Sequence, residues 1–255
     1  MRADRGQRRW SRDGLQLTSI RGIPIVIHPS WLVSVTVLAS FTAPTIAQGL
    51  VGDASTVILV VVAVLAVLPI AACIVLHELA HALVARAHGL QVSRIMLFAF
   101  GGVSVIAGSA PTPGAEYAIA ASGPIVSLIL ASGLAILARL GDPGVVGVTG
   151  ILGAYAWVNL ALALFNLIPA FPMDGGRLLR SVIWKLNGDR RRATTWAARV
   201  GRAFASLLIA TGVFLVLAPL GEQGRPDPGG LWTVLIGLFI FSASLDAERV
   251  EGGTR

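Results

Sequence analysis

Residues 56–75 read TVILVVVAVLAVLPIAACIV and carry no charged side chain. A helix of that length, at about 1.5 Å per residue, crosses the ~30 Å hydrocarbon core of a bilayer. Backbone in lipid must satisfy its own amides, so a helix is the form open to a lone apolar run of this kind. Comparable stretches recur at 29–48, 115–139, 146–169, 200–220 and 230–246, and the first run extends to 56–87. The expected fold is an all-α polytopic membrane protein of about six spans. Composition agrees, with 55% hydrophobic residues, 13% charged residues and a mean hydropathy of +0.78. A soluble domain of this size has no core large enough to hide so much apolar surface. The 56–87 segment is too long for one straight crossing. It is expected to tilt, kink at Pro69 or run past the bilayer.

Residues 91–108, QVSRIMLFAFGGVSVIAG, depart from that pattern. They are rich in β-branched and aromatic residues and broken by Gly101-Gly102. This predicts a short re-entrant, β-hairpin-like loop after the second span, which is tolerated at membrane depth only beside protein or a wet cavity. The stretch 221–230 reads as a short external loop.

The net charge of +7 does not indicate nucleic acid, because the basic residues sit between apolar runs instead of forming one patch. Six precede residue 22, Arg86 and Arg94 follow the second span, eight lie between Arg177 and Arg202, and Arg249 and Arg255 end the chain. Only Arg139 and Arg225 fall on the alternate side. By the positive-inside rule both termini are cytoplasmic, and the end of the second span lies near the cytoplasmic face. No signal peptide is visible, so residues 1–22 read as a cytoplasmic tail, 23–246 as one six-span membrane domain and 247–255 as a cytoplasmic C-terminal tail. The one cysteine, Cys73, lies inside an apolar run and reads as a small hydrophobe.

Against this apolar background stands His77-Glu78-Leu79-Ala80-His81. Residues four apart share a helix face, so both imidazoles can bind one metal. Glu78 lies beside the first histidine, within reach of a water whose pKa the metal lowers toward ~7. It can accept that water's proton and pass it to a leaving amine. Ionisable groups inside a spanning segment are costly to bury and point to function. A third ligand is required, and the acids near the membrane are Asp53, Glu116, Asp142 and Asp174. Asp174 sits in NLIPAFPMDGGR, residues 166–177, where Pro169 and Pro172 interrupt any helix and Gly175-Gly176 permits a tight turn. It either meets the metal or caps a following helix at 177–186. His88 is expected at the interface, not in the site. His28 either caps the first span or reaches the site. Glu116 is expected in the first turn of the third span, favoured by the helix dipole.

The paired motifs HELAH and Asn166-x-x-Pro169-x-x-x-x-Asp174-Gly175 resemble the site-2 protease family of intramembrane zinc metalloproteases. Phe100-Gly101-Gly102, the ASGP at 121–124 and the IHPSW at 27–31 match as well. The resemblance covers roughly residues 20–186 and implies a catalytic core at about 56–186. It implies one Zn²⁺ held by His77, His81 and Asp174, Glu78 as base, and substrate contacts from Asn166, Pro169, Gly101 and Gly102. The family cleaves transmembrane segments of membrane proteins in regulated intramembrane proteolysis, such as anti-sigma factors or signal-peptide remnants. An edge strand within 91–108 is suited to pairing with an unwound substrate. The pattern is most like a six-span branch that often carries CBS domains, here expected without them. The competing readings are an ion-coupled transporter or channel and an inactive binding scaffold.

Overall fold

The computed structural model describes residues 10–11, 14–33, 35–36, 56–98, 101–141, 146–218 and 228–253. Most of the expected first span, together with Phe100 and most of 221–230, lies outside the described residues. Among the described residues, five helices are long and apolar enough to cross a membrane. They are α1 (Thr56–Ala87), α2 (Pro113–Leu140), α3 (Val146–Asn166), α5 (Arg190–Leu217) and α6 (Pro228–Gly253), with the shorter α4 (Asp174–Asn187) between α3 and α5. Only 17–33% of each apolar window is buried within the protein. Leu68, Ile129, Leu207 and Phe214 stand exposed, a surface stable against lipid tails and not against water. The chain is a multi-pass membrane protein. α1 runs unbroken through Pro69.

The chain divides into two compact units, Met1–Ala110 with Ser122–Ala163, and Pro111–Ala121 with Leu164–Arg255. In the first, the all-α expectation is corrected. A five-stranded sheet is present, in the order β1 (Trp10–Ser11), β2 (Gly14–Ile20), β3 (Ile23–Ile27), β4 (Gln91–Phe98), β5 (Gly101–Ala107). The hairpin expected after the second span is β4–β5, paired from Gln91↔Ala107 to Phe98↔Gly101. The segment read as a tail contributes β2, which turns into β3 through Arg21-Gly22. Both turn residues have positive φ, 49° and 74°, as the tightest hairpin turn requires. β3 then runs parallel to β4, Ile25 opposite Ile95, and buries Ile23, Ile25 and Val26. Pro24 precedes that parallel pairing, so its missing N–H breaks no bond to β4.

The end of α1 sets the position of the hairpin. Gly89, at φ 81°, closes the helix with Leu90 N donating to Ala85 O at 3.0 Å. Arg86 donates to Arg21 O at 2.7 Å, joining the helix end to the β2–β3 turn. β4 and its antiparallel partner β5 then lie beside the last turns of α1, where Gly102 meets Ile74 and Glu78.

In the second unit α5 and α6 pack antiparallel, and glycines allow close approach. A Cβ on Gly212 would lie 2.7 Å from Gly230 O, and one on Gly237 would lie 2.7 Å from Ile209. α4 is strongly amphipathic, unlike the spans around it. Glu116, in the first turn of α2, is buried and accepts from Arg180 Nε at 2.9 Å, and from a second Arg180 nitrogen. Glu251 near the end of α6 takes Arg190 at 2.7 Å. Arg180 also stacks 5.2 Å over the Phe171 ring.

Candidate metal centre

Three elements of the first unit converge on the HELAH turn of α1. His77, Glu78 and His81 are all buried, and one ligand atom from each lies within 4.8 Å of the others. The two imidazoles sit edge to face with centroids 4.9 Å apart. One turn of helix gives this spacing, since i and i+4 share a face. Glu78 is the next residue around the helix, so it points to a different neighbour than the histidines do.

That neighbour is β5. A Cβ on Gly102 would fall 2.6 Å from Glu78 Cγ and 2.9 Å from Ile74, so only glycine allows the strand to lie this close. Two residues along, on the same strand face, Ser104 Oγ lies 2.8 Å from both Glu78 O and Glu78 Oε2. The strand therefore covers the glutamate and holds its carboxylate with a hydroxyl.

The histidines face α2. Nδ1 of His77 is 2.9 Å from Ser127 Oγ, and Nδ1 of His81 is 3.4 Å from Ser122 Oγ. Their Nε2 atoms approach Gly123 instead. A Cβ there would lie 2.3 Å from Nε2 of His81 and 2.6 Å from Nε2 of His77. Gly123 thus keeps a side chain out of the space before both Nε2 atoms. Two Nε2 donors converging on a cleared space, each Nδ1 turned to a hydroxyl and a carboxylate alongside, is a donor set that suits Zn²⁺. The groups present fit that ion.

The second sequence motif lies in the second unit. Asn166 ends α3 and is half-buried, Pro169 is exposed, and Asp174 is buried as the first residue of α4. The helix expected at 177–186 begins at Asp174. Its N-cap is Met173, with no side-chain cap hydrogen bond. Asp174 is itself the first helical residue, and Arg177 Nη1 stands 4.0 Å from its Oδ1. The 167–173 loop, with a cis Phe171–Pro172 peptide, folds over this turn. A Cβ on Gly175 would meet Leu167 O and Ile168 O at 2.3 Å, and one on Gly176 would meet Ala170 at 2.6 Å. The glycine pair is thus required by backbone lying against backbone, and it fixes where Asp174 begins the helix.

The remaining histidines are accounted for locally. His28 Nδ1 lies 2.7 Å from Ser30 Oγ and accepts from Ser30 N, at the start of the turn after β3. His88 is exposed at the end of α1, its Nδ1 2.9 Å from Val84 O. Ser127 and Ser104 drew no attention in the sequence, and ASGP was noticed without roles for Ser122 and Gly123. The available signal was Gly123 and Ser127, one helical turn apart on one face of a largely apolar span.

Comparison with known proteins gives the family of the chain. The model of peptidase family M50 matches residues 65–143 and 136–208. The chain is 40% identical to Rip3 of Mycobacterium tuberculosis over 93% of its length, and 31% identical to Zinc metalloprotease MJ0392 of Methanocaldococcus jannaschii over 92%. It spans 59% and 61% of those two relatives. The solved structure of the Site-2 Protease from Methanocaldococcus jannaschii matches with a TM-score of 0.57 at 27% identity, covering 91% of this chain and 94% of that one. The family match takes in the HELAH turn, the Gly123–Ser127 face and the Asn166–Asp174 loop together, and by it the chain belongs to peptidase family M50, the family of the site-2 proteases.

Proposed function

We propose that the chain is an intramembrane zinc endopeptidase acting on transmembrane segments of other membrane proteins. The observation that carries this reading is the HELAH turn itself: two Nε2 atoms facing a space kept clear by Gly123, with Glu78 beside them and tethered by Ser104. His77, His81 and Asp174 hold the ion and Glu78 is the base. When bound, Zn²⁺ supplies Lewis acidity that polarises the scissile carbonyl and acidifies water. Glu78 accepts the proton of the attacking water and delivers it to the leaving nitrogen. Ser104, by holding Oε2, leaves the other carboxylate oxygen to turn toward the reacting centre. The buried surroundings strengthen the charge interactions in the site, while its cytoplasmic opening admits the water that hydrolysis consumes.

A transmembrane substrate has its amides tied up in helix and must unwind before attack. β5 ends the sheet order, so it offers an edge along which an unwound segment can pair. Asn166, Pro169, Gly101 and Gly102 are assigned to substrate contact in this reading on their match to the family motifs. His81 lies about 9 Å along the helix axis from Ala87. In this reading the centre lies within the membrane's thickness, toward the basic end of α1 marked by Arg86. Both termini and the opening of the site are cytoplasmic by the distribution of Lys and Arg. Substrates of the anti-sigma-factor or signal-peptide-remnant type fit such a site, within regulated intramembrane proteolysis. One experiment tests the reading: zinc content and cleavage of a single-span substrate for wild type, Glu78→Gln and Val103→Pro. Glu78→Gln is expected to keep zinc and lose cleavage, and Val103→Pro to lose more cleavage than zinc. Cleavage by Glu78→Gln at the wild-type rate removes the mechanism, and equal loss of zinc and cleavage in Val103→Pro removes the strand's part in it. Ion flux without cleavage would favour the transporter.

A further inference from the structure

We infer that Ser127 is a positioning residue for the metal centre: its Oγ accepts the Nδ1–H of His77 and so fixes the tautomer that presents Nε2 to the ion. The inference rests on the zinc reading of the site and adds to it a residue outside the HELAH and Asp174 motifs. Ser127 is fully buried, and its Oγ is 2.9 Å from Nδ1 of His77, fifty residues away in sequence. A neutral imidazole carries one N–H, and the nitrogen that binds metal must be the other one. The geometry fixes which is which. Nε2 of His77 faces the space beside Gly123, and Nδ1 faces the hydroxyl. A serine hydroxyl can accept or donate, but donation to Nδ1 would put the proton on Nε2 and remove the ligand. Acceptance is therefore the state compatible with metal.

The same reasoning ranks the second contact lower. Ser122 Oγ is 3.4 Å from Nδ1 of His81, long for a hydrogen bond, and constrains that ring less. Gly123 and Ser127 lie one turn apart on α2, so a single helix face both clears the metal side of the histidines and orients one of them. Removing the hydroxyl leaves a buried N–H in an apolar span without this acceptor, and the ring is freed to turn or to take the other tautomer.

The test is the affinity of the purified full chain in detergent for Zn²⁺ alone, by competition with a chromophoric chelator, for wild type, Ser127→Ala, Ser127→Thr and His77→Ala. Ser127→Ala is expected to weaken Zn²⁺ binding by about 10–100-fold, the range found when an outer partner of a ligating histidine is lost. Ser127→Thr, which keeps the acceptor, is expected to restore most of it. The visible spectrum of the Co²⁺-loaded protein is expected to change in Ser127→Ala and to stay as wild type in Ser127→Thr. Melting of the zinc-free proteins is a control, because a purely structural role would move stability and leave Zn²⁺ affinity in place. If the alanine variant does not fold, Ser127→Cys replaces it, and a weak sulfur acceptor is expected to bind Zn²⁺ less tightly than the threonine variant. Wild-type affinity in Ser127→Ala, or in Ser127→Cys if that is the variant used, overturns the role of Ser127 and leaves the zinc site standing. Wild-type affinity in His77→Ala, or no Zn²⁺ bound by wild type, overturns the site and the inference together.

Discussion

Gly123→Ala asks the most of the proposed centre, because the substitution should strengthen the helix and weaken the metal site at once. The added methyl carbon would lie 2.3 Å from Nε2 of His81 and 2.6 Å from Nε2 of His77. Ordinary van der Waals contact begins near 3.4 Å, so the overlaps are about 1.1 and 0.8 Å. Either both rings leave their rotamers, at roughly 0.5–1.5 kcal/mol each, or α2 shifts, at about 1–3 kcal/mol for an overpacked site. Both routes give a penalty of about 1–3 kcal/mol against the metal-ready arrangement, or roughly 5- to 150-fold in Zn²⁺ affinity. In the opposite direction, alanine replaces glycine in a helix interior, worth about 1 kcal/mol. Without zinc the rings can swing aside and the helix keeps that gain. The expected result is thus a protein that binds Zn²⁺ at least several-fold more weakly, while the helix gain of about 1 kcal/mol offsets part of the strain in the zinc-free state. Gly133→Ala is the matched control on the same helix, since a Cβ there meets nothing within 4 Å, and its Zn²⁺ affinity should not change. Chelator competition and thermal melts on the three proteins decide it. Wild-type Zn²⁺ affinity in Gly123→Ala would refute the claim that the two Nε2 atoms meet their ion beside this glycine.

The buried pair in the second unit gives a separate test, in stability instead of catalysis. Arg180→Met leaves Glu116, 1% exposed, without its guanidinium and should cost about 3–5 kcal/mol in denaturant unfolding of the zinc-free protein in detergent. Replacing Glu116 by Leu in the same protein removes the orphaned charge and should recover most of that loss. A single variant as stable as wild type would show that the pair carries no such weight.

The spans were legible because lipid leaves the backbone few options. Uncharged runs near twenty residues long must be helices, and α2, α3 and α6 begin and end within a few residues or a turn or two of the expected bounds. α5 starts earlier than expected, at Arg190, because Asp189 caps it by accepting from Arg192 N. An apolar count does not register a start on three arginines. The N-terminal strands were missed for a related reason. GLQLTSI alternates weakly and is largely exposed, and only its pairing with IPIVI through Arg21-Gly22 makes it a strand. The β4–β5 hairpin was legible from its β-branched residues and from Gly101-Gly102. The reason for Gly102 is a tertiary one, the close approach to Glu78, which local sequence does not display. The metal motif is a local pattern on one helix and was read directly. Ser127 and Ser104 act across 50 and 26 residues, and a serine in a membrane helix or a strand carries no local mark of its partner.

The central claim, that His77, His81 and Asp174 share one zinc ion, is tested most directly by zinc K-edge X-ray absorption on the loaded full chain and its Asp174→Asn variant. The account requires a shell of nitrogen and oxygen at ~2.0–2.2 Å, with the scattering signature of two imidazoles and no sulfur at ~2.3 Å. In Asp174→Asn the two imidazoles should remain, with one oxygen lost or lengthened and Zn²⁺ held more weakly. A sulfur neighbour, fewer than two imidazoles, or a shell and affinity unchanged by Asp174→Asn would contradict it.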